Sequence, residues 1–305
     1  MADEIAARAD ELRVLVTRAE NGTRILDCGV QTVGSLEAGV LLAEVCLAGR
    51  GRVSVVPGRK ELWPGPAVCI ATDQPLAACL GAQYAGWQIT GERYFAMGSG
   101  PMRAAGSREP LLDEIGLRER PSVAVGVLET RKIPPAAVCE QIATACGVPG
   151  NQLTLLVAAT ASLAGTIQVV ARSVETALHK MHAVGFDMQT LVSGFGTAPL
   201  PPIASDDLVG IGRTNDAVLY GGEVTLWLQH DDARIAALGP KIPSSMSPDY
   251  GEPFANIFER YGRDFYKIDP LLFSPASITL VNLTSGRYFR FGDTNAGVLL
   301  QSWEQ

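Results

Sequence analysis

The most informative stretch of the chain is Arg172-Ser173-Val174-Glu175-Thr176-Ala177-Leu178-His179-Lys180-Met181-His182. On a helix, Val174, Ala177, Leu178 and Met181 form one apolar face, while Arg172, Glu175, His179 and His182 fall at i, i+3, i+7 and i+10 on another. Ser173 stands where it would cap the helix start, leaving Glu175 in the first turn, where backbone N–H groups and the helix dipole stabilise its anion. An exposed Arg/Glu pair at this spacing would be worth only a few tenths of a kcal/mol. A stripe that follows the most apolar strand of an α/β chain instead sits where such proteins place their sites, at the carboxyl end of a central strand. A metal reading converges Glu175, His179 and His182 on one ion. Against it, the chain has only 3 His and no second carboxylate at matching spacing.

Gly98-Ser99-Gly100-Pro101-Met102-Arg103 follows a strand-like run and sets backbone N–H groups, the Ser99 hydroxyl and the Arg103 guanidinium close together, an anion cradle or simply a turn. It lacks the Lys of a phosphate-binding loop and the third Gly of a dinucleotide fingerprint. Ser193 to Pro202, SGFGTAPLPP, is expected as a stiff Gly/Pro loop forming a cleft wall. Arg213-Thr214-Asn215-Asp216 offers donors and acceptors suited to a heterocycle edge, with helix capping by Asn215 as the structural reading. No Gly-x-Ser-x-Gly elbow and no Cys in a nucleophile setting is present, so covalent catalysis is not supported.

Alternating elements must hold these groups. Apolar spacing predicts helices over 3–19, 36–47, 76–84, 136–146, 174–184, 207–219 and 254–265, and strands over 23–28, 53–56, 67–72, 94–97, 122–128 and 223–229. A hairpin is expected over 278–291 around Ser285-Gly286. The uncharged run Leu153 to Ala171 is long enough to cross a bilayer, yet its Thr, Ser and Gln residues and Gly165 favour two buried strands joined at a tight turn. The whole is an α/β chain of two mixed lobes with a cleft between them, the lobe boundary placed near residue 186.

A chain of 305 residues with 47% hydrophobic and 19% charged content can bury a real core, which excludes a disordered or disulfide-stapled class. Its net charge of −7 is the wrong sign for a partner of nucleic acid, and no basic cluster anchors it to a membrane. The 6 Cys are scattered without a Cys-x-x-Cys pair, and the charged N-terminus lacks the apolar core of a secretory signal, so a reducing cytoplasm is expected.

Four segments carry a family resemblance: YFAMGSGPMRA (94–104), ARSVETALHKMHAVGFD (171–187), SGFGTAPLPP (193–202) and RTNDAVLYGGEVTLW (213–227). In this order, along the length of the chain, they resemble methenyltetrahydromethanopterin cyclohydrolase, with Met102 departing from a small residue in the pattern. The resemblance implies a cofactor-free, metal-free hydrolase of one-carbon metabolism with an α/β fold of two domains, a pocket between them and a homo-oligomeric, notably trimeric, assembly. Its essential Arg and Glu, three residues apart, correspond to Arg172 and Glu175. Ser99, Gly100, Arg103, Thr176, His179, Asn215 and Asp216 are the candidate substrate-binding residues, Arg103 for an acidic tail of the pterin carrier. The rival readings are a pterin- or folate-binding protein without turnover, a metal-dependent cyclic amidohydrolase using Glu175, His179 and His182, and the same chemistry on tetrahydrofolate. The Arg-over-Lys bias suggests a GC-rich bacterial genome and hence formaldehyde oxidation in a methylotroph.

Overall fold

The computed structural model describes residues 1–264 and 267–304. Its strands, in chain order, are β1 (Leu15–Arg18), β2 (Arg24–Gly29), β3 (Arg52–Pro57), β4 (Pro66–Thr72), β5 (Trp87–Gly91), β6 (Tyr94–Ser99), β7 (Ala124–Glu129), β8 (Leu153–Ala158), β9 (Leu191–Pro199), β10 (Glu223–Leu228), β11 (Ser277–Asn282) and β12 (Tyr288–Gly292). They form two sheets of mixed direction in two compact α/β units, one of residues 1–51 and 77–168, the other of residues 52–76 and 169–305. The chain passes into the second unit for β3 and β4, returns, and passes again after Gln168, so each unit is assembled from two stretches of sequence.

In the first unit the strand order is β1-β2-β8-β7-β6-β5, with β2, β8 and β7 parallel. All six residues of β8, Leu-Thr-Leu-Leu-Val-Ala, are buried, as expected for a strand covered on both faces. Alternation separates its neighbours into two cores. Ile25, Leu155 and Val157 pack with Cys139 and Ile142 of the Ala136–Cys146 helix. Leu26, Leu156 and Ala158 pack with Leu42 and Val45 of the Leu36–Cys46 helix, which Ser35 caps by accepting from the Ala38 N–H.

In the second unit the order is β12-β11-β10-β9-β4-β3, antiparallel except for the β10–β11 pair. The expected hairpin over 278–291 is present as β11 and β12. The Ser173–Ala183 helix packs on β9 and β10, and the Asp207–Gly221 helix packs on β9 and on the helices Phe254–Arg260 and Ala296–Trp303.

Four expectations change. The run after β8 is a helix, Leu163–Val170, not a second strand: the Ser162 hydroxyl accepts the Gly165 N–H at 3.0 Å, and Ala164, Ile167 and Val170 bury one helical face completely. SGFGTAP is not a loop but the body of β9, paired on both sides with β4 and β10. The opening helix ends at Leu12, where Arg13 takes a left-handed φ of 56°, and Leu15–Arg18 pairs with β2 as β1. The helix expected over 254–265 closes at Arg260, and Phe265 lies outside the described residues.

Candidate active site

The Ser173–Ala183 helix buries Val174, Ala177, Leu178 and Met181 completely, which confirms the apolar face read from their spacing. Arg172 is its N-cap residue without a side-chain cap, and Ser173, expected as the cap, is the first helical residue. The Ser173 Oγ is buried and has no hydrogen-bond partner. Two charged residues follow the break after Val170, and both are deeply buried: Arg172 is 7% exposed and Glu175 4%. Burying a charge uncompensated costs several kcal/mol, so an exposed surface pair is not an adequate description of these residues. One helical turn separates them, within reach of each other. The Thr176 N–H donates to the Arg172 carbonyl at 2.9 Å, so the helix runs unbroken beneath both side chains. The Thr176 hydroxyl donates to the Ser173 carbonyl at 2.9 Å, and His179 is half-buried one turn beyond Glu175 on the same face.

What fixes this first turn is the strand beneath it. Gly194 and Gly196 point the same way from β9, two residues apart, and the helix occupies the space their missing side chains leave. A Cβ on Gly196 would lie 2.5 Å from Ser173 Oγ and 2.9 Å from Val174 Cγ2; one on Gly194 would lie 3.0 Å from Val174 Cγ1. The glycines of SGFGTAP thus serve close helix-to-sheet approach rather than a turn, a role legible in their period of two.

The other candidate residues are held for different work. Gly100, at φ +86°, donates its N–H to the Ala82 carbonyl at 2.8 Å. Ser99 is 1% exposed, its Oγ 3.6 Å from the Cys46 Sγ. Arg103 is completely buried in the first unit. Its Nε and NH2 donate to Glu109 at 2.9 and 2.5 Å, and NH1 donates to the carbonyls of Leu80 and Gly81 at 2.8 and 3.2 Å. The guanidinium also lies 5.0 Å from the Tyr84 ring centroid. Arg103 therefore ties the end of the π-helix Leu76–Gln83 to the Glu109 segment, which leaves little of its hydrogen-bonding capacity for an acidic tail.

Asn215 lies inside the Asp207–Gly221 helix, where its Nδ2 donates to the Ile211 carbonyl at 2.8 Å, so it does not cap that helix; Asp206 does. Asp216 is completely buried and accepts the Phe254 N–H on both oxygens at 2.9 and 3.1 Å, which ties it to the first residue of the Phe254–Arg260 helix. Burial pushes the Asp216 carboxyl up to about 7 against the opposing effect of its hydrogen bonds from Ser302 and Phe254. Among the described residues no group of three or more His, Cys, Asp or Glu side chains is placed to hold a metal ion, so Glu175, His179 and His182 do not assemble as a ligand set.

One polar group escaped the sequence reading. At the carboxyl end of β7, Glu129 Oε1 accepts from the Thr160 hydroxyl and Oε2 from Gln168 Nε2 at 3.4 Å. Its sequence signal is an acidic residue closing the apolar strand AVGVLE, and its link to Gln168 arises only because 163–170 is a helix.

The family described as Cyclohydrolase (MCH) matches residues 1–303. The chain is 48% identical over 287 residues to methenyltetrahydromethanopterin cyclohydrolase of Rhodopirellula baltica, covering 92% of this chain and 86% of that protein. It is 45% identical over 296 residues to the enzyme of that name from Methylobacillus flagellatus, covering 97% and 90%. It is 40% identical over 302 residues to the one from Methanospirillum hungatei, covering 99% and 95%. The match runs over nearly the whole chain, and the chain belongs to the methenyltetrahydromethanopterin cyclohydrolase family.

Proposed function

We propose that this chain hydrolyses 5,10-methenyltetrahydromethanopterin to 5-formyltetrahydromethanopterin, with Glu175 as general base and Arg172 as its positioning residue. The observation that carries this reading is the burial of both charges in one helical turn, braced on a strand whose glycines let the turn sit against the sheet. The methenyl carbon lies in an amidinium-like cation between two nitrogens and is already electrophilic. It requires an oriented water and a base, with no resident cofactor or metal.

Glu175 takes a proton from that water as the carbon–oxygen bond forms, a contribution of about 10²- to 10⁴-fold. Its negative charge also stabilises the bound cation. The neutral hydroxylated adduct then collapses. Its hydroxyl proton leaves to solvent, the bond from carbon to N10 breaks, and protonated Glu175 returns its proton to that nitrogen while the formyl group stays on N5. Water and the methenyl cation thus give the formyl compound and one proton. Arg172 fixes the Glu175 rotamer and keeps the resting carboxylate charged. Thr176 and His179, on the same helix, are the proposed substrate contacts nearest this pair in sequence.

The free thiols favour a reducing cytoplasm and the Arg-rich composition a role in formaldehyde oxidation, while the family resemblance is what implies a homo-oligomer, a trimer in this reading. The decisive experiment mixes purified protein with the methenyl substrate and follows loss of the methenyl absorbance, with and without chelator. Wild-type protein bleaches the chromophore in both conditions, and Glu175→Gln lowers kcat by about 10²- to 10⁴-fold while KM stays within a few-fold. Near-normal turnover by Glu175→Gln would sink the assignment, and chelator-sensitive turnover would return the metal reading.

A further inference from the structure

We propose that the first unit holds a second ligand site, a cavity at the amino ends of its parallel strands that takes an organic phosphate monoester. The cavity is lined by that unit alone, whereas Arg172 and Glu175 belong to the other unit.

The strand register builds the site. Arg18 of β1 stands opposite Arg24 of β2, Arg24 opposite Thr154 of β8, and Thr154 opposite Val125 of β7, so one row of four side chains crosses one face of the sheet. Two residues further along β2 and β8, Leu26 and Leu156 lie on that same face and pack with Val45 of the Leu36–Cys46 helix. That helix stops at Cys46, and the chain turns away through Ala48 and Gly49 at φ 55° and 69°. The row therefore extends past the end of the helix that covers the rest of the face, and a cavity of about 510 Å³ opens over it. Small-molecule sites commonly measure roughly 300–1,000 Å³. Val45, Pro101, Val123 and Val125 give this one an apolar wall.

Charge marks the ligand. The charged side chains lining the cavity are Arg18, Arg24 and Asp3. Like charges directly opposite one another in a sheet repel and destabilise it, and here two arginines do so in a chain of net charge −7. Little within the protein answers them. Arg24 Nη2 reaches Asp3 Oδ1 at 2.6 Å, and its Nε donates to the Thr154 hydroxyl at 3.2 Å. The Asp3 side chain is 88% exposed, so this pair is of the weak surface kind. Arg18 Nη1 donates to the Gly22 carbonyl at 3.0 Å, and among the described residues Arg18 pairs with no carboxylate. Two guanidiniums thus share one solvent-exposed carboxylate. A phosphate monoester carries nearly two negative charges near neutral pH and three acceptor oxygens, enough to answer both forks. It displaces Asp3, whose carboxylate marks where one of those oxygens sits, and its carbon body lies against the apolar wall.

The test titrates phenyl phosphate, inorganic phosphate and phenol into the full chain by calorimetry at neutral pH and low salt, using wild-type protein, Arg18→Gln, Arg24→Gln and Asp3→Asn. Wild-type protein binds one phenyl phosphate per chain, about tenfold more tightly than inorganic phosphate, and phenol gives no saturable heat. Arg18→Gln and Arg24→Gln each weaken phenyl phosphate by about 5- to 50-fold, and Asp3→Asn strengthens it by about 3- to 10-fold. Thermal unfolding separates this loss from a damaged fold. Without ligand, Arg18→Gln melts at or above the wild-type midpoint, because the facing charges are gone, while phenyl phosphate raises its midpoint far less than that of wild type. Equal affinity of wild type and both Gln variants for phenyl phosphate overturns the proposal, and so does equal affinity of wild type for phenyl and inorganic phosphate. Phenyl phosphate that raises KM for the methenyl compound in wild type but not in Arg18→Gln would assign the cavity to the substrate and refute a separate site.

Discussion

Gly196→Ala tests the claim that the strand beneath the helix sets the position of the reactive pair. Gly196 is buried in β9, opposite Val224 on one side and Ile70 on the other, so its backbone is held in both ladders. The added Cβ would meet Ser173 Oγ at 2.5 Å and Val174 Cγ2 at 2.9 Å. Ser173 relieves the first contact by rotating its hydroxyl. Val174 has no such freedom, because a β-branched side chain in a helix holds one χ1 rotamer. The first turn must therefore lift by roughly half an ångström, at an overpacking cost of about 1–3 kcal/mol. Arg172 and Glu175 lift with it. A displacement of about 1 Å costs on the order of 10²-fold in rate, so kcat is expected to fall by about 10- to 100-fold. The assay is the initial rate of methenyl absorbance loss against substrate concentration, with the unfolding midpoint measured in parallel. Val174→Ala removes the obstructing methyl and should restore part of the lost kcat when combined with Gly196→Ala, a non-additive pair. If Gly196→Ala loses stability and keeps kcat within about threefold, the strand does not govern the pair and the reasoning fails.

Four further outcomes follow from the same structure. Gly297→Ala, where a Cβ meets only Asn295 Oδ1 at 3.5 Å, should raise stability by about 0.4–1 kcal/mol and leave kcat unchanged, as thermal unfolding and the absorbance assay can check. Arg103→Ala removes the partner of Glu109 and the donors to Leu80 and Gly81, and should destabilise by about 3–5 kcal/mol, whereas a role in gripping the substrate tail would raise KM at unchanged stability. Asp216 is held up at about 7 in the fold against an ordinary 3.8, so its contribution to stability is complete below about pH 4 and is lost as pH rises to 7, at up to about 1.4 kcal/mol per pH unit; Asp216→Asn should abolish that slope in denaturant titrations. Lys180 is shifted down to about 8 by burial, with Asp269 opposing, so the fold gains stability as pH rises from about 8 to 10.5, and Lys180→Met should flatten that rise.

The parts of the fold that follow from local pattern were legible, and the parts set by tertiary pairing were not. Val174, Ala177, Leu178 and Met181 announce a helix face because four apolar residues recur at its period, and the structure buries all four. The run from Leu153 to Ala171 has no charge to mark an inner and an outer face. Strand and helix then look alike, and only Ser162 turning back on Gly165 decides for a helix. β9 was hidden by its own composition. Glycine and proline ordinarily punctuate chains, and SGFGTAP becomes a central strand only because β4 and β10 flank it and a helix needs the space over Gly194 and Gly196. For the site, Arg172 and Glu175 stood out through type and spacing, but their burial depends on what covers the helix, which spacing does not encode. Arg103 and Asp216 carry the polar chemistry of a binding site, and the fold uses that same chemistry to join its own segments.

A general distinction comes from how this chain neutralises its buried polar groups. Asp27 is closed by three backbone amides, Arg103 by a carboxylate and two carbonyls, and Asp216 by the Phe254 amide and a raised proton affinity. In each case the charge is answered within the protein, by groups that would be left unsatisfied if it were removed, so each substitution is read first as a loss of stability. Glu129 is answered on one side only, by neutral donors that orient it without cancelling its charge. Removing that charge leaves Thr160 and Gln168 able to bond to an amide in its place, so the fold loses little. The two classes therefore separate experimentally: substitution of a closed group lowers the unfolding midpoint, and Glu129→Gln leaves it at the wild-type value.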